Sequence, residues 1–191
     1  MGDKGKGCDF GGLQPVAHRD LELRARRSVT EPPVHLRTDI TEADLERLVQ
    51  MHGDLYEREF GWSRDFEDYV RAGVEAFAAG PSGERERVWI AEVGDELVGA
   101  IAIVESSAED AQVRWFLLAP AARGRGLGKR LLEEALGFAR AAEYRRVFLW
   151  TVAELEAAAA LYRAAGFFLT EEITHEVWGA ERTEHRYDLA F

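Results

Sequence analysis

The spacing of apolar and polar residues changes period several times along the chain, and each change marks an element. Residues 34–37 read as a short strand. Thr41-Glu42-Ala43-Asp44 has the form of a capping box, and Leu45, Leu48, Val49, His52 and Leu55 follow at helical spacing. Gly61 and Ser63 interrupt that stripe, and a second helix runs to about Ala79, where Gly80-Pro81-Ser82-Gly83 ends it. Residues 88–93 and 97–104 flank Gly94-Asp95-Glu96, a hairpin signal. Two nearly continuous apolar runs follow, at 113–118 and 147–152. A helix over about 126–142 lies between them, with Leu127, Leu131, Leu132, Ala135 and Ala139 on one stripe. Apolar strands joined through a helix predict a parallel pair covered on both faces, with a right-handed crossover. A helix over 154–165 ending at Gly166, then strands at 167–178 and 185–189, complete a mixed sheet of α/β class.

Residues 1–33 show no sustained period, carry five glycines in the first twelve positions, and close on Pro32-Pro33. They are expected to form a flexible tail with a short helical piece near 21–27, ahead of a domain spanning 34–191. A length of 191 residues, 47% apolar and 31% charged, suits one domain with such a tail. No apolar run approaches the roughly 20 residues that cross a bilayer. The first residues lack the apolar core of a signal peptide, so a cytoplasmic location away from membranes is expected. Cys8, the single cysteine, excludes an internal disulfide and a multi-cysteine zinc site. His175-Glu176 is no zinc motif either, because Gly179 stands where a second histidine is needed. A net charge of −11 argues against a general nucleic-acid surface. Yet residues 121–130 hold Arg123, Arg125, Lys129 and Arg130 without an acid, an island suited to a small anion.

That island coincides with Leu118-Ala119-Pro120-Ala121-Ala122-Arg123-Gly124-Arg125-Gly126-Leu127-Gly128-Lys129, which starts at a strand end and finishes inside a helix. Pro120 stops the strand, the glycines leave amide N–H groups unshielded, and the opening helix adds unpaired donors and a positive dipole end. Three phosphate-binding patterns compete. A Walker A loop fails, because arginine occupies both position 123 and position 130. A dinucleotide fingerprint fits poorly, since the spacing is G-x-G-x-G and the turn follows the fourth strand of the domain rather than the first. Arg/Gln-x-x-Gly-x-Gly, an acyl-CoA loop, matches in a strand–turn–helix setting. A solvated glycine turn is the bland alternative.

With that loop, and with Leu161-Tyr162-Arg163-Ala164-Ala165-Gly166-Phe167 similar to a closing Leu-Tyr-x-x-x-Gly-Phe, residues 34–191 resemble the GNAT family of acyl-CoA-dependent N-acyltransferases. Arg114-Trp115-Phe116, His52-Gly53-Asp54-Leu55-Tyr56 and Gly61-Trp62 resemble, more narrowly, the acetyltransferase half of MarR–acetyltransferase fusion proteins. The tail is too short for a winged-helix domain, so no DNA-binding role is expected.

The resemblance implies a mostly antiparallel mixed sheet with a splayed parallel pair and flanking helices. Acetyl-CoA would be the cosubstrate and no metal is needed. Its pantetheine arm would pair with strand backbone around Phe116, Leu117 and Leu118, and the Leu118 amide would serve as oxyanion donor. The pyrophosphate would rest on Arg123, Gly124, Arg125, Gly126, Leu127, Gly128 and Lys129. An amine of a small molecule or a protein would attack the thioester directly. Tyr162 would be the general acid, although it shares a stripe with Leu155, Ala158 and Ala159 and reads equally as core.

The base stays unassigned. Gln112 stands where many relatives have glutamate, and Leu155 where an asparagine is frequent. Glu105, Glu154, Glu57 and His52 remain candidates acting through water, with His52 reading better as a core residue. Tyr56, Phe60, Trp62 and Trp178 would wall the acceptor site, and Glu57, Glu59 and Glu176 would attract a cationic amine. An acyl-CoA-binding sensor or interaction module is the rival reading, a nucleotide-dependent oxidoreductase a distant third, and homodimerisation stays open.

Overall fold

The computed structural model describes residues 32–80 and 83–191. Most of the expected tail, including Cys8 and the helical piece near 21–27, lies outside the described residues, as do Pro81 and Ser82. The elements run β1 (Val34–Arg37), α1 (Glu42–Phe60), α2 (Asp65–Ala79), β2 (Arg87–Val93), β3 (Glu96–Glu105) and β4 (Asp110–Leu118). After a 3-10 turn (Pro120–Ala122) come α3 (Leu127–Ala141), β5 (Arg146–Val152), α4 (Glu156–Ala164), β6 (Phe168–Val177) and β7 (Ala180–Ala190). The strands form one sheet in the order β1-β2-β3-β4-β5-β7-β6. Every neighbouring pair is antiparallel except β4 and β5, which are parallel. The α/β expectation therefore holds, with the splayed parallel pair at its centre.

Apolar side chains cover both sheet faces, which is why the central strands lack a polar alternation. One face packs Ile101, Ile103, Val147 and Leu149 against Leu131, Leu132 and Ala135 of α3. The other packs Ile90, Ala100, Trp115 and Leu117 against Leu48 and Val49 of α1 and Val70 and Val74 of α2. α1 begins with the expected box: Thr41 accepts from the Asp44 amide, and the Asp44 carboxylate accepts from the Thr41 amide at 2.8 Å. The same carboxylate takes Arg37 and Arg47 at 2.6 Å each, pinning β1 to α1. The Arg37 guanidinium is the main reason Asp44 stays well below the usual carboxylate range.

The last hairpin departs most from the expectation, with β7 starting at Ala180 instead of 185. Trp178 and Gly179 are both at positive φ (50° and 85°) between the paired residues Val177 and Ala180, a two-residue primed turn. Tryptophan in place of asparagine hid this signal. The polar run Glu181-Arg182-Thr183-Glu184 hid the strand behind it.

Candidate active site

Three register pairs, Asp110 with Arg146, Ala111 with Val147 and Gln112 with Phe148, join β4 to β5. Beyond them the strands part, although β4 continues to Leu118 and β5 to Val152. A bulge in β4 is responsible. The β3–β4 register shifts between Ala100 and Ala102, and Trp115 takes φ 49°, while β5 keeps step with β7 as far as Val152 and Glu184. A bulge bends its strand and strengthens the local twist, so β4 turns away while β5 runs straight. The Ala119 amide donates to Val98 of β3 at 2.8 Å. Successive amides point to opposite edges of a strand, which directs the Leu118 N–H towards the gap.

The chain leaving β4 reaches α3 through Gly124 and Gly126, at φ 73° and 78°. A Cβ on either would meet nothing within 4 Å, so backbone conformation, not crowding, calls for glycine. α3 opens at Gly126 with no side-chain cap and no acid in its first turn. The amides of Leu127, Gly128 and Lys129 thus lack intrahelical acceptors, while the Leu127 side chain is buried in the core. Arg123 is already engaged: its Nε donates to the Leu118 carbonyl at 3.1 Å and its Nη1 to the Glu59 carboxylate at 2.9 and 3.0 Å. That contact ties the turn to the last helical turn of α1. Lys129 lies 3.7 Å from Glu133 on an exposed face.

A cavity of about 130 Å³ opens at the parting, walled by α1, α2, β4, β5, α4 and the final hairpin. Tyr162 is buried and lines it, and its hydroxyl makes no hydrogen bond among the described residues. Burial first, and then the neighbouring Tyr56, push this phenol above its usual range. Tyr56 is pushed up to about 12 by burial, against the pull of Arg123. Its ring lies 4.5 Å from Trp62, which stacks on Trp178 at 4.7 Å. Of the four expected wall residues, Tyr56, Trp62 and Trp178 are therefore brought together, with Phe66 and Tyr69 beside them, whereas Phe60 packs on Tyr56 at 5.7 Å and on Trp62 at 6.0 Å without lining the cavity.

Other expectations need correction. Glu105 sits at the far end of β3, accepts from the Tyr144 hydroxyl at 3.2 Å, pairs with Arg85 at 3.3 Å, and does not line the cavity. Glu154 is held by Arg182 at 2.9 Å, also outside the lining. Glu57, Glu59 and Glu176 do not line it either, so they supply no acidic wall for a cation. His52 does line it, but its Nδ1–H donates to the Leu48 carbonyl at 2.9 Å, and burial lowers it to about 4, leaving it neutral near pH 7. Two charged lining residues carried no role in the sequence analysis. Among the described residues Glu184 is the one carboxylate of the wall, with His175 at 2.6 Å, and Arg114 is its one arginine or lysine. Among the described residues no cluster of three or more His, Cys, Asp or Glu is placed to hold a metal, and no helix is long and apolar enough to cross a membrane.

Comparison with known proteins bears on this arrangement. The model of the Acetyltransferase (GNAT) family matches residues 45–167. An uncharacterized N-acetyltransferase of Escherichia coli strain K12, YjgM, is 39% identical over 84 residues, which cover 41% of this chain and 49% of YjgM. The match thus spans about half the length of that curated relative. An acetyltransferase from Streptococcus agalactiae superposes with a TM-score of 0.67 at 21% identity, over 83% of this chain and 98% of its own. The structure of yncA from Salmonella typhimurium, solved with its cofactor acetyl-CoA, gives 0.65 at 17% identity, over 82% and 93%. At such identities the structures speak for the fold.

Proposed function

The chain belongs to the GNAT acetyltransferase family, and from that premise we propose that it transfers an acetyl group from acetyl-CoA to an amine by direct attack on the thioester. The observation that carries this reading is the parting of β4 and β5 immediately before an uncapped, glycine-opened helix. The pantetheine arm enters the gap and pairs with backbone at Phe116, Leu117 and Leu118. The diphosphate rests on the amides from Gly124 to Lys129, with Arg125 and Lys129 adding charge. Hydrogen bonds to a charged partner contribute about 1.5–3 kcal/mol each, so a few amides are enough to anchor the cofactor. Arg123 acts differently: bound to Glu59 and the Leu118 carbonyl, it braces the turn against α1.

In the reaction the Leu118 N–H donates to the thioester oxygen as negative charge builds on it, a contact worth about 10²–10³ in rate. An alkylamine of pKa about 10.4 is mostly protonated at pH 7, a penalty of about 4.6 kcal/mol that a base must offset. Glu184 takes that proton through water, His175 holding its carboxylate. As the tetrahedral adduct collapses, Tyr162 gives its phenolic proton to the departing thiolate, and the proton that the acylated nitrogen loses passes through water to restore the phenol. A phenol raised by burial keeps that proton at neutral pH, and among the described residues its hydroxyl makes no hydrogen bond that would divert it. The kinship to the acetyltransferase half of MarR fusions rests on Arg114-Trp115-Phe116, residues 52–56 and Gly61-Trp62.

Acceptor-dependent release of CoA thiol, measured across a panel of amines, tests the reading. Tyr162→Phe should lower kcat by about 10²-fold with little change in the KM for acetyl-CoA. Binding of acetyl-CoA with no thiol release for any amine would favour a sensor module instead, and an unchanged kcat would return Tyr162 to the core.

A further inference from the structure

Among the described residues the acceptor cavity is lined by one carboxylate, Glu184, which His175 already engages, and by one guanidinium, Arg114. The bulge at Trp115 turns Arg114 and Trp115 towards α1 and α2, where the aliphatic alternation of β4 would have sent only one of them. The Arg114 guanidinium lies 5.3 Å from the Trp115 ring and 5.9 Å from the Tyr69 ring. It backs onto α2 at Gly73, where a Cβ would come within 2.7 Å of its Nη2. The helix leaves a slot for this group, and two rings hold it there. Arg37, Arg47, Arg71, Arg146 and Arg186 each reach a carboxylate within 2.9 Å. Among the described residues Arg114 has no hydrogen bond and no ion pair, although it is half-buried.

Other donors of the lining also lack acceptors. Among the described residues Trp62 Nε1 and Trp115 Nε1 are buried donors with no partner, and both tryptophans line the same cavity. The lining carboxylate, Glu184, already has His175. Unpartnered donors in the same lining as a half-buried guanidinium are matched by oxygens brought in by a ligand. At roughly 10–15 Å³ for each water-sized position, the 130 Å³ space takes about ten heavy atoms, the size of a free amino acid.

We propose that the acceptor is an amino acid-sized amine bearing a carboxylate, which Arg114 receives while the amine faces the thioester. This names the acceptor class for the acetyltransfer proposed above and rests on it. It replaces the cationic acceptor expected from Glu57, Glu59 and Glu176.

The test sets the twenty proteinogenic amino acids against their carboxamides, with spermidine as a cationic control, in the thiol-release assay. For the best substrate, kcat/KM should exceed that of its carboxamide by about 10- to 100-fold, chiefly through KM. Arg114→Gln should bring that ratio close to one, and Arg114→Lys should restore part of it. A wild-type ratio near one, a preference for carboxamides or spermidine, or an Arg114→Gln enzyme with the wild-type ratio would each overturn the proposal. Tryptophan fluorescence separates this from failure of the catalytic reading. Should no amine release thiol, N-acetyl amino acids should still quench Trp62 and Trp115 at lower concentration than N-acetyl amino amides. Equal quenching by the two would overturn the carboxylate assignment by itself.

Discussion

His52 offers a quantitative check on how the cavity floor is built. It is 4% exposed, its Nδ1–H is committed to the Leu48 carbonyl, and burial lowers it to about 4. In the unfolded chain it titrates near 6.5. Between those values the unfolded state binds the proton and the folded state does not, so stability rises with pH across this window. The contribution is complete above about pH 6.5 and is lost as pH falls towards 4. From the two values, lowering the pH from 7.5 to 5 should cost about 2 kcal/mol through this residue alone. Asp44, whose range is depressed by Arg37, gives up its contribution only below about 3.8, outside that interval. Urea unfolding followed by tryptophan fluorescence at pH 7.5 and 5.0 measures the difference. His52→Asn, which keeps a donor for the Leu48 carbonyl, should be less stable at pH 7.5 but flatter with pH by that amount. Parallel pH dependences for the two proteins would refute the buried, neutral assignment. A hundredfold loss of turnover in His52→Asn would instead make it the base.

Two further substitutions separate catalysis from scaffold. Glu184→Gln should lower kcat/KM at pH 7 by about 10²-fold or more, with partial recovery above pH 9 where the amine loses its own proton; steady-state rates across pH decide it. Asp44→Asn removes the carboxylate shared by Arg37, Arg47 and the α1 cap. It should reduce stability by about 2 kcal/mol at pH 7, read as a lower urea midpoint, while the wild-type advantage disappears as pH falls well below 3.8.

What could be read in the chain was what local physics writes there. Thr41 and Asp44 cap a helix, Pro120 and the following glycines end a strand and open α3, and buried strands lack polar alternation. Tyr162 stood out only through the likeness of residues 161–167 to a closing family motif, since its own stripe reads equally as core. What depends on pairing across the sheet was not legible. The bulge at Trp115 follows from how β3 and β4 align, so neither the parting of the strands nor the direction of Arg114 follows from a count along β4. Arg123 looked like a phosphate ligand because Glu59, its partner, belongs to a helix far earlier in the chain. Glu184 lay hidden in a polar run whose strand is set by the Trp178-Gly179 turn. Glu57, Glu59 and Glu176 pointed to a cationic acceptor, whereas none of them lines the cavity, whose charged lining residues are Glu184 and Arg114.

Calorimetric titration of acetyl-CoA into the wild-type protein and into Gly126→Asp measures the first step on which all else depends. Aspartate tolerates positive φ better than most residues and suits a helix N-cap, so the fold should survive with its unfolding midpoint little changed. Saturable one-to-one binding to the wild type, weakened at least 100-fold by a carboxylate set against the diphosphate, is the result expected. Heats of dilution alone from the wild type, or equal affinity in the two proteins, would contradict a cofactor held by the Gly124–Lys129 amides.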